Sequence, residues 1–314
     1  MRLQRGHASE PPGSSQRRQR VRGKMSDKTV STLLRRALAT TGLVGSAFRV
    51  REALRALGYP KPPLLAPDGL PFPSRIQMVR VAGHADWRKF HQTGRDHAEA
   101  LMDIAAASGV PFDQARSVLD WGCGCGRVSR HIAGQTPADV FGRDLDPVTV
   151  RWAARNLPGN YKRSRLVPPL DLSDRAIDIA VGLSIFTHLS TTLQREWLQE
   201  LARILRPGGL LLLTFADELH PNVGALGPAR AQLDREGIAQ TTNALEGLNY
   251  MATFQTRRQL GQSASPWFRE AAARTSRETP MGQAVIALVR RGLEAASPKA
   301  ILEQDRVGSN RPDP

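Results

Sequence analysis

The sequence predicts an α/β protein built on a doubly wound, mostly parallel β-sheet. Between residues 117 and 216, short apolar strands alternate with amphipathic helices, an order that places helices on both faces of a parallel sheet. The first strand runs directly into a glycine-rich loop, and sheets of this kind bind ligands at the carboxyl ends of their strands.

Apolar periodicity places the individual elements of this sheet. Clear strands are predicted at residues 117–120, 139–142, 177–183 and 210–215, with weaker ones at 267–273 and 284–289. Helices are predicted over residues 96–108, 147–156 and 192–205, and a further helix is expected to begin near Arg127.

Composition divides the chain into four parts. Residues 1–25 are rich in Arg, Gln, Ser and Pro, which predicts a disordered basic tail. Residues 26–95 are expected to hold N-terminal helices and a proline-rich connector. The α/β domain follows over residues 96–291, with a polar, helix-tending insertion at 217–250, and residues 292–314 form a polar tail.

The N-terminal part carries most of the positive charge. Residues 1–61 contain fourteen Arg and Lys against three Asp and Glu, which leaves +4 of the total +15 for residues 62–314. So small an excess of positive charge outside residues 1–61 argues against nucleic acid as a substrate. Peripheral contact of residues 1–60 with an anionic membrane stays open, because basic amphipathic helices bind there.

Two apolar stripes predict helices between residues 26 and 57, separated near Gly42 and Gly45. The stripes consist of Val30, Leu33, Leu34, Ala37 and Leu38, and of Val50, Ala53, Leu54 and Leu57. We expect the helices to pack on the α/β domain or to cover its cleft, with a membrane-surface helix as the alternative.

No apolar run approaches the ~18 residues that span a bilayer, and no apolar signal segment follows Met1. Met25 is an alternative start of the natural chain. Cys123 and Cys125 are too few for a metal site and poorly placed for a mutual disulfide. We therefore expect a cytoplasmic protein with no metal site.

The segment after the first strand is the most informative one. Asp120 ends the strand, and Gly122, Gly124 and Gly126 follow at alternate positions. Glycines let the chain turn sharply and let a ligand approach the backbone. Asp144 ends the second strand, where a carboxylate can accept hydrogen bonds from both hydroxyls of an adenosine ribose.

A nicotinamide-dependent dehydrogenase is the first alternative, because its G-x-G-x-x-G fingerprint also follows a first strand. Counted from Gly122 the third glycine would be Arg127, and counted from Gly124 it would be Ser129. The glycine that brings a helix close to a pyrophosphate is missing in both registers, which favours a ligand without a pyrophosphate.

Four motifs in register resemble those of the class I S-adenosylmethionine-dependent methyltransferases, and in particular of a bacterial small-molecule subgroup. They are the D-x-G-x-G-x-G run at 120–126, the segment 142–146, the strand with its exit at 178–189, and the turn at 206–209. The resemblance implies a seven-stranded, Rossmann-like methyltransferase fold with an N-terminal helical extension, and S-adenosylmethionine as cofactor.

The family's cofactor-binding residues correspond to Asp120, Gly122, Gly124, Gly126, Asp144 and Ser184. By this resemblance, Asp120 holds the methionine ammonium, Asp144 takes the ribose hydroxyls and Ser184 lies near the methionyl part. Many relatives also carry an acidic residue after the third strand that meets the adenine amino group. Residues 164–167 hold no carboxylate, which leaves backbone amides and apolar contacts for adenine.

Methyl transfer from a sulfonium is an in-line displacement, so the protein's task is to align acceptor, methyl carbon and sulfur. His188 is the candidate general base for the acceptor; its structural alternative is to hydrogen-bond the loop and fix the next helix. The Asp/Asn-Pro-Pro-aromatic motif of base methyltransferases is missing after residues 177–183, which argues further against nucleic acid.

We therefore predict methyl transfer to an O or N atom of a small-molecule, sugar or lipid-linked acceptor. The N-terminal helices and the insertion at 217–250 would build the acceptor pocket. The alternatives are an NAD-dependent oxidoreductase and a non-catalytic cofactor-binding or scaffold protein of the same fold. The sequence carries no motif for the identity of the acceptor or for the oligomeric state.

Overall fold

The computed structural model describes residues 44–241 and 251–292. Several predictions lie outside these residues: the basic tail at 1–25, the helix carrying the first apolar stripe, the break at Gly42, and almost all of the tail at 292–314. The same holds for residues 242–250, the end of the predicted insertion.

A seven-stranded sheet forms the centre of the described chain. Its strands are β1 (Ser117–Trp121), β2 (Asp139–Asp144), β3 (Asn160–Arg163), β4 (Ile177–Gly182), β5 (Leu205–Phe215), β8 (Phe268–Arg274) and β9 (Ala284–Arg290). A separate antiparallel pair consists of β6 (Ile238–Gln240) and β7 (Thr253–Gln255). The large sheet has the order β3-β2-β1-β4-β5-β9-β8, in which only β9 runs against its neighbours. The predicted fold class, a mostly parallel doubly wound sheet, is confirmed.

Helices cover both faces of this sheet. The described helices are α1 (Val44–Leu57), α2 (Arg75–Ala82), α3 (Trp87–Ala107), α4 (Ser129–Ala133), α5 (Pro147–Asn156), α6 (Thr191–Ile204), α7 (Arg230–Glu236) and α8 (Arg257–Ala264). Successive residues of β5 point to opposite faces, as the pleat of a strand requires. Leu211 and Leu213 belong to the cluster beneath α6, and Leu210 and Leu212 to the cluster beneath α3.

The chain changes direction within the sheet between β1 and β4. From β1 it moves outward to β2 and β3, then returns to pair β4 with the other edge of β1. Open α/β sheets bind ligands at such a switch point, at the carboxyl ends of the strands. Asp120 lies one residue before the end of β1, at this position.

Several element boundaries differ from the prediction. Helix α3 begins at Trp87 and not near residue 96, because the Asp86 side chain caps it by accepting the N–H of Lys89 at 3.1 Å. Of the expected separation near Gly42 and Gly45, the structure describes only the second helix, which begins at Val44 and holds Gly45 in its first turn. The helix expected near Arg127 begins at Ser129.

Strand β3 was not predicted from apolar periodicity; only the family resemblance implied a strand before residues 164–167. Its four residues are Asn-Tyr-Lys-Arg, and only Tyr161 is buried, so no apolar alternation marks the segment. The predicted insertion at 217–250 also contains a strand: after a 3-10 segment at Val223–Ala229 and helix α7, the chain enters β6. Among the described residues, no helix is both long enough and apolar enough to cross a membrane.

Candidate functional site

The glycine loop after β1 needs glycine at three positions. Gly122, Gly124 and Gly126 have φ angles of 81°, 55° and 72°, which L-residues with a side chain rarely adopt. A Cβ added to Gly124 would stand 2.7 Å from Cγ2 of Val81, and one added to Gly122 would overlap the side chain of Ile185. The loop is therefore held in a turn that also lets other groups approach its backbone closely.

Asp144 fastens this loop to the end of β2. Its carboxylate accepts the N–H of Gly124 at 2.7 Å on one oxygen and that of Asp146 at 2.8 Å on the other. Burial raises the pKa of Asp144, while these two backbone hydrogen bonds oppose the rise. Each carboxylate oxygen has two lone pairs, so both retain capacity for a further donor such as a hydroxyl.

Asp120 is a buried carboxylate that forms no ion pair with any described residue. Its side chain is only 3% exposed, and it accepts a hydrogen bond of 2.5 Å from the hydroxyl of Ser129. Burial raises its pKa to about 6, and the nearby charge of Asp144 adds to the rise. Among the residues that the structure describes, no Lys, Arg or His lies within ion-pair distance of it, and the charge of Arg127 offsets the rise of the pKa only in part. A cationic ligand group would therefore find a carboxylate there that is not engaged in an ion pair.

Helix α2 covers the glycine loop. Ser74 and Gln77 cap its first turn reciprocally, which is the sequence signal that we overlooked. Val81 packs on Gly124, and Arg80 forms ion pairs with Asp146, beside the loop, and with Glu52 of α1. The covering helix lies outside residues 26–57, for which that role was expected; within that range, α1 is joined to α2 by the pair of Glu52 and Arg80.

Ser184 follows β4 in a strained backbone conformation, with a φ of 62°. Its N–H donates to the Thr214 hydroxyl at 2.7 Å, and its own hydroxyl donates to Oε1 of Gln283 at 2.9 Å. The Thr214 hydroxyl donates to the same Gln283 oxygen at 2.6 Å. Gln283 directly precedes β9, so three strands of the sheet contribute to holding Ser184 beside the carboxyl edge.

His188 ends the 3-10 turn Phe186–His188 that leads towards α6. Its Nδ1 lies 2.8 Å from the carbonyl oxygen of Met251. A carbonyl only accepts, so Nδ1 carries the proton and Nε2 has a free lone pair. Burial lowers the pKa of His188, which keeps the ring neutral at pH 7 and chemically fit to accept a proton.

The far end of the site, beyond β3, lacks a carboxylate at residues 164–167, as the sequence indicated. The N–H of Ser164 donates to the Asp144 carbonyl at 2.8 Å, and the Leu166 carbonyl accepts the Trp197 indole N–H at 2.9 Å. The acid that comes next along the chain, Asp171, is paired with Arg143 and Lys162. It is therefore engaged in holding the sheet edge.

The structure thus brings together Asp120, the three loop glycines and Asp144 at the switch point of the sheet. Sequence analysis missed Ser129, which orients Asp120, and Val81 and Arg80, which cover the loop. Ser129 is the serine that displaced the third glycine of the dehydrogenase fingerprint, so the mismatch itself marked a residue of the site.

Comparison with known proteins identifies this region. The sequence profile described as "Methyltransferase domain" matches residues 118–209. A probable S-adenosylmethionine-dependent methyltransferase of Mycolicibacterium smegmatis is 31% identical over 132 residues, which make up 42% of this chain and 50% of that protein. The trans-aconitate 2-methyltransferase of Rhodopseudomonas palustris is 28% identical over 142 residues, 43% of this chain and 52% of that protein. The ubiquinone biosynthesis O-methyltransferase of Parvibaculum lavamentivorans is 26% identical over 123 residues, with shares of 38% and 47%.

The sheet order, the glycine loop and the matched profile define a methyltransferase domain of the class I, S-adenosylmethionine-dependent type, which confirms the predicted family. The cofactor of this class is S-adenosylmethionine, and the match argues against the dehydrogenase alternative. The chain spans about half the length of the curated relatives named above.

Proposed function

We propose that this protein transfers a methyl group from S-adenosylmethionine to an O or N atom of a small acceptor. The observation that carries the proposal is Asp120, a buried carboxylate that forms no ion pair with any described residue and lies beside the glycine loop. The methionyl ammonium of S-adenosylmethionine is the cation that would pair with this carboxylate. Asp144, one strand further along, would accept the ribose hydroxyls.

Within this proposal the chain's own residues divide the work. The backbone at Gly122, Gly124 and Gly126 passes beside the cofactor, which supplies the activated methyl group. Ser184 stands near the methionyl part, and His188 takes the proton that an oxygen or nitrogen acceptor loses. The remainder of the rate enhancement comes from alignment of acceptor and methyl carbon.

The nature of the acceptor follows less directly. The relatives carry names that refer to trans-aconitate and to ubiquinone biosynthesis, which are chemically different compounds. We therefore propose the same acceptor classes as the sequence predicts: a small molecule, a sugar or a lipid-linked compound in the cytoplasm. Labelled S-adenosylmethionine, the protein and a fractionated cell extract would reveal the acceptor as the labelled product.

Binding measurements test the cofactor site without an acceptor. S-adenosylhomocysteine carries the amino-acid part, whereas 5′-methylthioadenosine lacks it and keeps the ribose. Asp120→Asn should lower the affinity for S-adenosylhomocysteine at least tenfold, because a charge-assisted contact is lost. It should leave the affinity for 5′-methylthioadenosine unchanged. Asp144→Asn should weaken both. Equal effects of Asp120→Asn on the two ligands would contradict the ammonium assignment.

Binding with no product in any extract fraction would favour the non-catalytic alternative. NAD serves as the second ligand in the same titrations. Saturable NAD binding with no binding of S-adenosylhomocysteine would reject the methyltransferase proposal in favour of an oxidoreductase.

We also propose that the outer face of α1 contacts anionic membranes. Val50, Leu54 and Leu57 lie on one side of the helix and are 59%, 64% and 68% exposed. Arg49 and Arg55 flank them and have no ion-pair partner among the described residues. Apolar side chains bordered by unpaired cations match the chemistry of an anionic lipid surface.

Sedimentation of the full chain with vesicles tests this contact. The protein should pellet with vesicles containing phosphatidylserine and much less with purely zwitterionic ones, and Leu54→Glu should reduce pelleting severalfold. Val167→Glu is the matched control, because Val167 is 49% exposed and lies elsewhere. Equal pelleting of both variants, or none of the wild type, would reject the contact.

A further inference from the structure

A cluster of three potential metal ligands lies outside the cofactor site. Asp68 comes from the connector before α2, His91 from the first turns of α3, and His131 from α4. One ligand atom of each residue lies within 4.8 Å of those of the other two. The rings of His91 and His131 meet edge to face, with their centroids 4.7 Å apart.

The two histidines are buried and incompletely satisfied. His91 is 5% exposed and His131 is 6% exposed, and the Nε2 atom of each is buried without a hydrogen-bond partner. A buried polar atom that lacks a partner is energetically costly, so two such atoms in one cluster are unusual. Burial lowers the pKa of both rings, which leaves them neutral at pH 7.

The carboxylate of Asp68 completes the set. Its Oδ2 lies 3.5 Å from Nε2 of His91. That distance is close to the separation of two ligands on a tetrahedral zinc ion, roughly 3.3–3.5 Å for bonds of 2.0–2.2 Å. The third ligand atom, from His131, lies within 4.8 Å of the other two, so binding of one ion requires it to move closer.

Arg130 donates hydrogen bonds to the same carboxylate of Asp68. Its Nε donates to Oδ2 of Asp68 at 2.6 Å and its Nη2 to Oδ1 at 2.7 Å. Each carboxylate oxygen keeps a second lone pair, and ligating carboxylates are commonly oriented by such outer hydrogen bonds. The guanidinium charge weakens the attraction for a cation, so we expect a moderate affinity.

From this geometry we propose that Asp68, His91 and His131 bind one zinc ion, with water as the fourth ligand. Two imidazole nitrogens and one carboxylate oxygen form a donor set typical of Zn²⁺. Sequence analysis had considered only the two cysteines as metal ligands. The ion would join three segments distant in sequence and so fasten the connector to the helix that follows the cofactor loop.

Titration of the full-length, chelator-treated protein with Zn²⁺ tests the site directly. We expect one ion per chain by calorimetry, and a rise in melting temperature with Zn²⁺ because the ion binds only the folded chain. Co²⁺ in place of Zn²⁺ should give the visible absorption of a tetrahedral complex. None of these measurements depends on methyl transfer or on the cofactor.

Variants identify the ligands. His91→Gln and His131→Gln should each lower the affinity for Zn²⁺ at least tenfold. His220→Gln, which alters a histidine outside the cluster, should leave that affinity unchanged. If burial of the glutamines prevents folding, Asp68→Asn provides the same test at a partly exposed position and should also weaken Zn²⁺ at least tenfold. Absence of saturable binding, or unchanged affinity in the folded ligand variants, would overturn the proposal.

Discussion

The backbone N–H of Gly124 donates to the carboxylate of Asp144 at a distance of 2.7 Å. The side chain proposed for the ribose therefore also fixes the loop proposed for the methionyl part. The two halves of the cofactor site are joined by one residue, and changes at Asp144 should affect loop geometry as well as ligand binding.

We predict that Asp144→Ala makes the free energy of binding S-adenosylhomocysteine less favourable by about 1.5–3 kcal/mol, the usual scale for hydrogen bonds to a charged group. Calorimetric titration measures this change. Asp139→Ala is the control, because Asp139 begins the same strand and is exposed at its opposite end. An affinity equal to that of the wild type would remove the ribose assignment.

Gly124→Ala should both destabilise the protein and lower its affinity for the cofactor. The alanine would need a φ near 55° and its Cβ would press on Val81, so we expect a loss of about 1–3 kcal/mol in unfolding free energy. Gly69→Ala separates the two causes: Gly69 has a φ of 77°, but a Cβ there meets nothing within 4 Å. If both variants lose the same stability and neither loses affinity, the close approach at Gly124 is unimportant.

Affinity for S-adenosylhomocysteine should fall as the pH drops through about 6. The pKa of Asp120 is raised to about 6, so acid protonates this carboxylate and removes the charge that attracts the ammonium. Below that pH we expect about a tenfold loss per pH unit from this group. Titrations from pH 8 to pH 5 test this, with Asp120→Asn as the reference that lacks the titrating carboxylate.

His188→Gln should lower kcat about 10²–10⁴-fold on an identified acceptor and leave S-adenosylhomocysteine affinity unchanged. Because the pKa of His188 lies below its usual value, the wild-type rate should be flat near pH 7 and fall only at lower pH. His220→Gln is the control. Full turnover of His188→Gln would show that the ring serves only to hold the Met251 carbonyl.

The sequence was sufficient to predict the fold because each central strand combines an apolar run with a clear boundary. Helix α5, for example, has the predicted limits, since Asp146 caps it and Pro147 occupies its first position. Apolar periodicity missed strand β3 because its pairing with β2 depends on tertiary contacts and only Tyr161 is buried. Local pattern carries no information about such an edge strand.

Site residues within a motif were accessible to sequence analysis, whereas those contributed by distant segments were not. Asp120 and Asp144 end apolar strands and could be placed on one edge. Val81 contacts the loop across 43 positions, and nothing in its own segment indicates that contact. Likewise, the cluster of Asp68, His91 and His131 becomes visible only when three elements are assembled.

Gln283 links Ser184 to a segment 99 positions later in the chain. Besides its bond to Thr214 of β5, the left-handed serine after β4 therefore gains this second hydrogen bond only once the final hairpin, β8 and β9, has joined the sheet. A chimera that exchanges the matched domain at residues 118–209 between relatives would separate Ser184 from its glutamine unless residue 283 were exchanged too. An engineered recombinant that keeps this hydrogen bond must therefore take β1 to β4 and the hairpin of β8 and β9 from the same parent protein.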